Sequence, residues 1–325
     1  MEKSKNPITI ISENRDRTTD ETIKWLIKDG IPFNRHNYEE TSGFSICFDN
    51  SNYISTINKE IPKNKVIWFR RGRFQFLTKN CLISNFNINL RNEELPIVLH
   101  FEKYFNDHNH MIGSYKEERF NNKIENLLIA KKNGLNIPKT LVTNKKTELE
   151  LFFKNNIKIM SKNIYSMPNI RDPDWNYKIG TNQLVTNNQI NRLSSIFAPS
   201  IIQEYIEKSF EVRIFVFEDQ FYAMAIFSQK DDKTKFDFRN YNEANPNRNV
   251  PFELPSIIKR NLTSFLKEKK MNTGSIDLIV TPNNEFYFLE INPQGQLDWL
   301  SKNCNYYVEK EIANILKLRN EKIAI

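Results

Sequence analysis

Two carboxylates and a carboxamide, Asp277, Glu290 and Asn292, have the types and spacing to hold a divalent cation. Asp277 lies in Gly274-Ser275-Ile276-Asp277-Leu278-Ile279-Val280, and the other two close Phe286-Tyr287-Phe288-Leu289-Glu290-Ile291-Asn292. Both segments alternate as strands do, and Thr281-Pro282-Asn283-Asn284-Glu285 supplies the turn between them. Strand side chains alternate between faces, so Glu290 and Asn292 share one, and hairpin pairing brings Asp277 beside them. Converging carboxylates repel unless a cation sits between them. An oxygen-only set suits Mg²⁺, which keeps waters and binds substrate phosphates. The lesser alternative from the pattern alone is a half-exposed hairpin whose polar face meets water.

The elements that would position this hairpin can be read along the chain. Ile8–Ile11 predicts a strand, and a helix follows from about Thr19 to Asp29 with Gly30 as its stop. Ile31-Pro32-Phe33 begins a further extended segment, so the opening is strand–helix–strand, the start of an α/β unit. Val66–Phe69 is another strand, running into Arg70 and Arg71, and a helix is predicted from about Glu93 to Asn106. His108 and His110 follow without a nearby ligand cluster and read as a linker. Asn122–Ala130 has helical apolar spacing and closes on Lys131-Lys132-Asn133-Gly134. Ile157–Lys162 is a strand ending on a lysine, and residues 163–182 form a polar loop. Strands are predicted at Ile201–Ile206, Glu211–Phe217 and Phe221–Phe227, and helices at about Ser256–Lys269 and Val308–Leu318. The expected division is 1–112, 113–200 and 201–325, α/β first and then two α+β units.

Composition narrows the class. The chain has 325 residues, enough for two or three units at roughly 100–200 residues per domain. Hydrophobic residues make up 39% and aromatic residues 12%, which supports a substantial core and argues against disorder. The balance of 47 basic against 39 acidic residues gives +8, favouring an anionic partner: nucleic acid, nucleotide phosphates or an acidic peptide. The basic residues are dispersed and no nucleic-acid-binding signature is present, so nucleic acid is the weaker option. Cys47, Cys81 and Cys304 are too widely spaced for a zinc site or a disulfide framework. No apolar run approaches the length of a signal peptide core or a membrane span, so the expected location is the cytoplasm.

Lys123, Gly134, Lys162, Glu204-Tyr205-Ile206, Glu211 and then Asp277, Glu290 and Asn292 occur in the order of the ATP-grasp ligases, and the last spacing resembles that superfamily's metal motif. The resemblance covers residues from about 113 to 296 closely and the N-terminal unit more loosely. Phe221–Gln229, Asp237-Phe238-Arg239, Asn245–Arg248, Asn292–Gln296 and Asn303–Tyr306 are similar to the graspetide maturases, in particular the grasp-with-spasm type. The resemblance implies an ATP-grasp fold, with an N-terminal α/β unit and two α+β units gripping ATP. It implies an ATP- and Mg²⁺-dependent ligase that joins Asp or Glu side chains of a ribosomal precursor peptide to Ser or Thr hydroxyls, or to Lys amines. The leader of that peptide would be recognised apart from its acidic core. A homodimer is compatible with the same resemblance.

Residue roles follow from the chemistry such a ligase must do. Lys123 and Lys162 are point charges on flexible stems, suited to spreading triphosphate charge. Gln203, Glu204, Tyr205 and Ile206 would read the adenine edge through backbone groups and the Glu204 carboxylate, and Glu211 would accept from ribose hydroxyls. Asp277, Glu290 and Asn292 would hold one or two Mg²⁺ ions. Many ATP-grasp ligases carry arginine two residues before the first metal aspartate, where this chain has Ser275. A cation for the acyl phosphate is then expected from Arg213, on the strand face of Glu211, or from Arg239, with Asp237 as the general-base candidate. Arg70 and Arg71 either meet the acidic precursor or lie on a solvated turn. The rivals are an amino-acid or glutamate ligase on the same nucleotide site, and a non-catalytic peptide-binding relative.

Overall fold

The computed structural model describes residues 6–57, 65–76, 84–164, 183–230, 242–244 and 246–323. Asp237 and Arg239, two of the site residues expected from sequence, lie outside the described residues.

The N-terminal unit opens with β1 (Ile8–Ser12), α1 (Arg17–Lys28) and β2 (Phe33–Asn37), with β1 and β2 parallel. Asp16 starts α1 by accepting from the Thr19 amide at 2.9 Å, satisfying one of the otherwise orphaned first-turn donors. A two-stranded hairpin follows, β3 (Phe44–Phe48) and β4 (Tyr53–Ile57), which the weak alternation of this polar segment had not announced. Next come β5 (Val66–Phe69), the long α2 (Ser84–His108) and β6 (His110–Ile112). The parallel sheet has the order β2-β1-β5-β6. The segment read as a linker around His108 and His110 is instead the end of a helix and the first residue of a strand. The Nδ1 of His108 lies 2.8 Å from the Tyr104 carbonyl oxygen, and the Nε2 of His110 lies 3.1 Å from Glu218.

The middle of the chain contains α3 (Tyr115–Arg119), α4 (Lys123–Lys132), β7 (Thr140–Lys145), α5 (Lys146–Lys154), β8 (Ile159–Lys162), β9 (Gln183–Leu184), α6 (Asn187–Asn191) and β10 (Ile196–Glu204). Its strands form an antiparallel sheet ordered β7-β10-β8-β9. The 200/201 boundary expected from sequence cuts through β10. Residues 201–204 pair with both β7 and β8 and so belong with the central sheet; the apolar run Ile201–Ile206 had masked the strand's earlier start.

The last unit is β11 (Phe210–Phe217), β12 (Gln220–Phe227), β13 (Arg248–Pro251), α7 (Ser256–Lys269), β14 (Thr273–Val280), β15 (Phe286–Asn292), α8 (Asp298–Asn303) and α9 (Val308–Ile323). Its antiparallel sheet is ordered β13-β12-β11-β14-β15. One face carries Val212, Ile214, Val216, Ile276, Leu278, Val280, Phe288 and Ile291, packed with Leu127 of α4 and Leu262, Phe265 and Leu266 of α7. The opposite face carries Phe215, Phe217, Met224 and Ile226, in one cluster with Ile8, Ile10, Val66 and Trp68 of the N-terminal sheet and Ile312 and Leu316 of α9. The predicted hairpin is thus the edge of a five-stranded sheet buried on both sides. Among the described residues, no helix is long and apolar enough to cross a membrane.

Candidate active site

The β11–β14 pairing sets Arg213 opposite Asp277, and the β14–β15 pairing sets Asp277 opposite Glu290. Cross-strand neighbours on one sheet face lie within side-chain reach, so register alone lines up three charges. Arg213 Nη1 donates to both Asp277 carboxylate oxygens at 2.7 Å, and both side chains are buried. Lys123, the first residue of α4, completes the row: its Nζ stands 3.3 Å from Glu290 Oε2 and donates to the Asn163 carbonyl at 3.3 Å. Among the described residues each of these carboxylates therefore has a cationic partner. Arg213 also lies under the Trp299 ring, 5.9 Å from its centroid.

A bulge decides that Glu290 can join this row. Leu278 pairs with Phe288 but Asp277 pairs with Glu290, so Leu289 is an extra residue on β15. Strict alternation would put Glu290 on the face of Phe288, which is fully buried against α7. The inserted Leu289 reverses the phase, sending Ile291 into that core and Glu290 to the face of Asp277. Asn292 lies opposite Ser275.

Ser275 explains its own departure from the expected arginine. It is fully buried, its Oγ has no hydrogen-bond partner among the described residues, and a methyl group built on Gly295 would lie 1.8 Å from that Oγ. An arginine has no room there. The neighbouring strand places a positive charge in this row, Arg213 on Asp277.

One step along the same strands lies a small cavity of ≈ 20 Å³, lined by Met160 and Lys162 of β8, Gln203 and Glu204 of β10, Tyr205, Ile206, Lys208, Ile279 and Leu289. Six of the expected nucleotide-binding residues thus border one space or its neighbouring charge row. Gln203 is buried, its Nε2 donates to Thr140 Oγ1 at 3.0 Å, and its Oε1 has no partner among the described residues. The Tyr205 amide is taken by the Lys158 carbonyl at 2.9 Å, and burial followed by the charges of Glu207 and Glu211 raises the Tyr205 hydroxyl pKa.

Two of these carboxylates already have partners within the protein. Glu204 Oε1 accepts from the Lys139 amide at 2.8 Å, which ties that oxygen to the strand connection rather than leaving it for a ligand. Glu211 is buried beneath Lys208, whose ammonium is in close contact with Glu211 Oε1, while Ser228 Oγ donates to the same oxygen at 3.1 Å. A buried carboxylate demands such partners, because unpaired charge is strongly disfavoured away from water. Lys208 lines this cavity although its sequence context, three residues before Glu211 in a mixed-charge turn, is that of a solvated lysine.

Arg70 is likewise no solvated turn residue. It is buried, with Nε 3.3 Å from Asp16 Oδ2 and Nη1 donating to the Gln294 carbonyl at 2.5 Å. Desolvation lowers its pKa, opposed by the Asp16 charge. Arg71 pairs with Glu13 at 2.8 Å.

The donor set suits a hard divalent cation. Asp277, Glu290 and Asn292 offer oxygen only, and an ionised carboxylate has about four lone-pair sites, of which the Arg213 contacts use one per oxygen. Among the described residues there is no group of three or more His, Cys, Asp or Glu placed to hold a metal, so the set relies on the amide oxygen of Asn292.

No family model and no curated protein matches the chain. Solved structures match along almost its whole length. A RiPP-associated ATP-grasp ligase of Chryseobacterium gregarium, in complex with ADP and a leader and core peptide, is 26% identical with a TM-score of 0.81, covering 96% of each chain. The chain has the fold of the ATP-grasp ligases. It is also similar to the macrocyclase MdnC of Microcystis aeruginosa, bound with precursor peptide MdnA, at 25% identity and a TM-score of 0.76, over 96% of this chain and 99% of that one. PsnB, an ATP-grasp ligase complexed with a minimal precursor, is 14% identical at a TM-score of 0.76 and shares the fold, over 97% of this chain and 99% of its own.

Proposed function

We propose that this protein is an ATP-dependent peptide macrocyclase of the graspetide type, working in the cytoplasm on a ribosomal precursor peptide. The observation that carries the reading is the charge row Lys123–Glu290–Asp277–Arg213 beside the pocket of Lys162, Gln203 and Leu289. The peptide substrate is carried over from the two relatives at 25–26% identity, whose structures hold a peptide.

In the first step a precursor Asp or Glu oxygen attacks the γ-phosphorus of ATP. The bond to the bridging oxygen breaks, leaving ADP and an acyl phosphate. In the second, a Ser or Thr hydroxyl or a Lys amine of the same peptide attacks the acyl carbon, loses its proton and expels phosphate. Both reacting groups belong to one bound chain, so the second step gains from proximity. Mg²⁺, when bound, would neutralise phosphate charge and draw the attacking and leaving oxygens into line. Asp277, Glu290 and Asn292 would hold it. Lys123 and Lys162 supply mobile positive charge, and Arg213, fixed by its bond to Asp277, places a permanent cation at the metal corner.

Gln203, Tyr205 and Ile206 form the adenine end, with the unpartnered Gln203 Oε1 suited to an amine donor. The cavity there has room for about one water, so purine entry requires Met160 on the central sheet and Leu289 on the last sheet to separate.

Incubation with ATP, Mg²⁺ and a short peptide encoded beside the gene tests the reading. The expected result is loss of one water from the peptide for each link closed, with ADP and phosphate released in equal number. Addition of free amino acids to the peptide would instead indicate an amino-acid ligase.

A further inference from the structure

The turn that follows β15, Asn292-Pro293-Gln294-Gly295, is held from three separate parts of the chain. From the N-terminal unit, buried Arg70 donates through Nη1 to the Gln294 carbonyl at 2.5 Å. From α3, the part-buried Glu118 lies near enough to the Gln294 side chain for Gln294 to offset part of the rise that burial gives its carboxyl pKa. From β14, Ser275 lies so close that Gly295 has no room for a Cβ. The Gly295 amide closes the turn on the Asn292 carbonyl at 3.1 Å, and Asn121 Nδ2 donates to the Ile291 carbonyl at 2.8 Å. Arg70 is itself fixed: Asp16, the cap of α1, stands 3.3 Å from its Nε, and Thr18 Oγ1 lies 3.5 Å from Nη2. A buried guanidinium with a carboxylate on one edge and a backbone carbonyl on the other has its orientation determined at both ends.

Asn292 is the neutral member of the candidate metal set and ends its strand, so the turn beyond it determines where its amide oxygen points. We propose that Arg70 is a positioning residue for the metal corner, locking the Asn292 turn from the N-terminal unit and thereby setting the affinity of the site for a divalent cation. The proposal rests on the assignment of Asp277, Glu290 and Asn292 to metal binding. Arg70 touches neither substrate nor metal; it acts through the Gln294 carbonyl.

The test is a titration of the full-length protein with Mn²⁺ in saturating ADP, read by electron paramagnetic resonance, with ADP affinity measured in parallel. In Arg70→Lys the single ammonium keeps its charge beside Asp16 but cannot also hold the Gln294 carbonyl. Its Mn²⁺ affinity is expected to fall about tenfold while ADP affinity without metal changes less than about twofold. Arg70→Gln should show the same split and a larger loss of Mn²⁺ affinity, and if it fails to fold Arg70→Lys decides alone. Gly295→Ala, which displaces the turn from its other side, is expected to weaken Mn²⁺ binding without involving Arg70. Wild-type Mn²⁺ affinity in folded Arg70→Lys would overturn the proposal. Failure of the wild-type protein to bind Mn²⁺ in the presence of ADP would overturn the metal assignment itself, and the proposal with it.

Discussion

Asp277 and Glu290 carry the same charge in the same row, yet the structure gives them different duties. Asp277 is buried against Arg213 and helps to hold the sheet, whereas Glu290 faces Lys123 in a more open setting. Asp277→Asn is therefore expected to lose stability as well as turnover. Removing one partner of a buried pair costs roughly 3–5 kcal/mol, visible as a lower melting temperature. Glu290→Gln should cut ADP release by about 10²–10³-fold with little change in melting temperature. Equal melting losses in the two variants would contradict this division. Glu118 gives a pH dependence. Its carboxyl is pushed up from 4.5 to about 7 by burial, against hydrogen bonding from Gln294 and the charges of Arg71 and Arg70. Between those values the folded state keeps a proton that the unfolded chain has released. Stability is fully present below about pH 4.5 and falls as pH rises through 7, by a few kcal/mol at most. Urea unfolding at pH 5 and pH 8 should show that slope, and Glu118→Gln should flatten it. Residue identity exposed the site only in part: Asp277, Glu290 and Lys123 were legible, whereas Lys208 and Glu118 are ordinary charged residues until burial gives them partners.

At the scale of elements, the alternation of apolar residues gave most strands and helices within a few residues, because a buried face imposes its period on the sequence. α7 was predicted at the bounds the structure has, and β5 likewise. Where no face is strongly buried the signal fades: the β3–β4 hairpin, with Phe48 and Ile54 exposed, went unseen. The bulge at Leu289 was also invisible, since an inserted apolar residue in an apolar strand leaves no mark on composition. The junction between β6 and α3 supplies a prediction of its own. Gly113 has φ +79, and a Cβ there would lie 2.2 Å from the Phe69 carbonyl oxygen. Gly113→Ala should therefore destabilise the protein by roughly 1–3 kcal/mol, measured by chemical unfolding. A neutral result would mean that the chain can move away from Phe69 at little cost.

Over the whole molecule, the cluster uniting Trp68 of the N-terminal sheet with Phe217 of the last sheet makes two distant stretches of chain share one core; their rings meet edge-on at 6.1 Å. Trp68→Ala is expected to cost about 3–5 kcal/mol. It should lower the unfolding midpoint of both sheets together, as followed by hydrogen exchange at Ile10 and Ile214; loss confined to the N-terminal strands would show that the units unfold separately. By itself the sequence determined the chemical inventory and its order: carboxylates and an amide on a hairpin, and lysines on a helix start and a strand end. These are local properties of residue type and spacing, and they persist in whatever fold they enter. Only the tertiary structure decided which cation meets which carboxylate. It set Arg213 on Asp277, brought Lys208 over Glu211, and took Arg70 from a surface turn to the back of the Asn292 turn. The first pairing follows strand register, the second closes a three-residue turn, and the third is a buried crossing between units. Burial then makes the choice of partner binding, because an ion removed from water must find its counter-charge inside the protein.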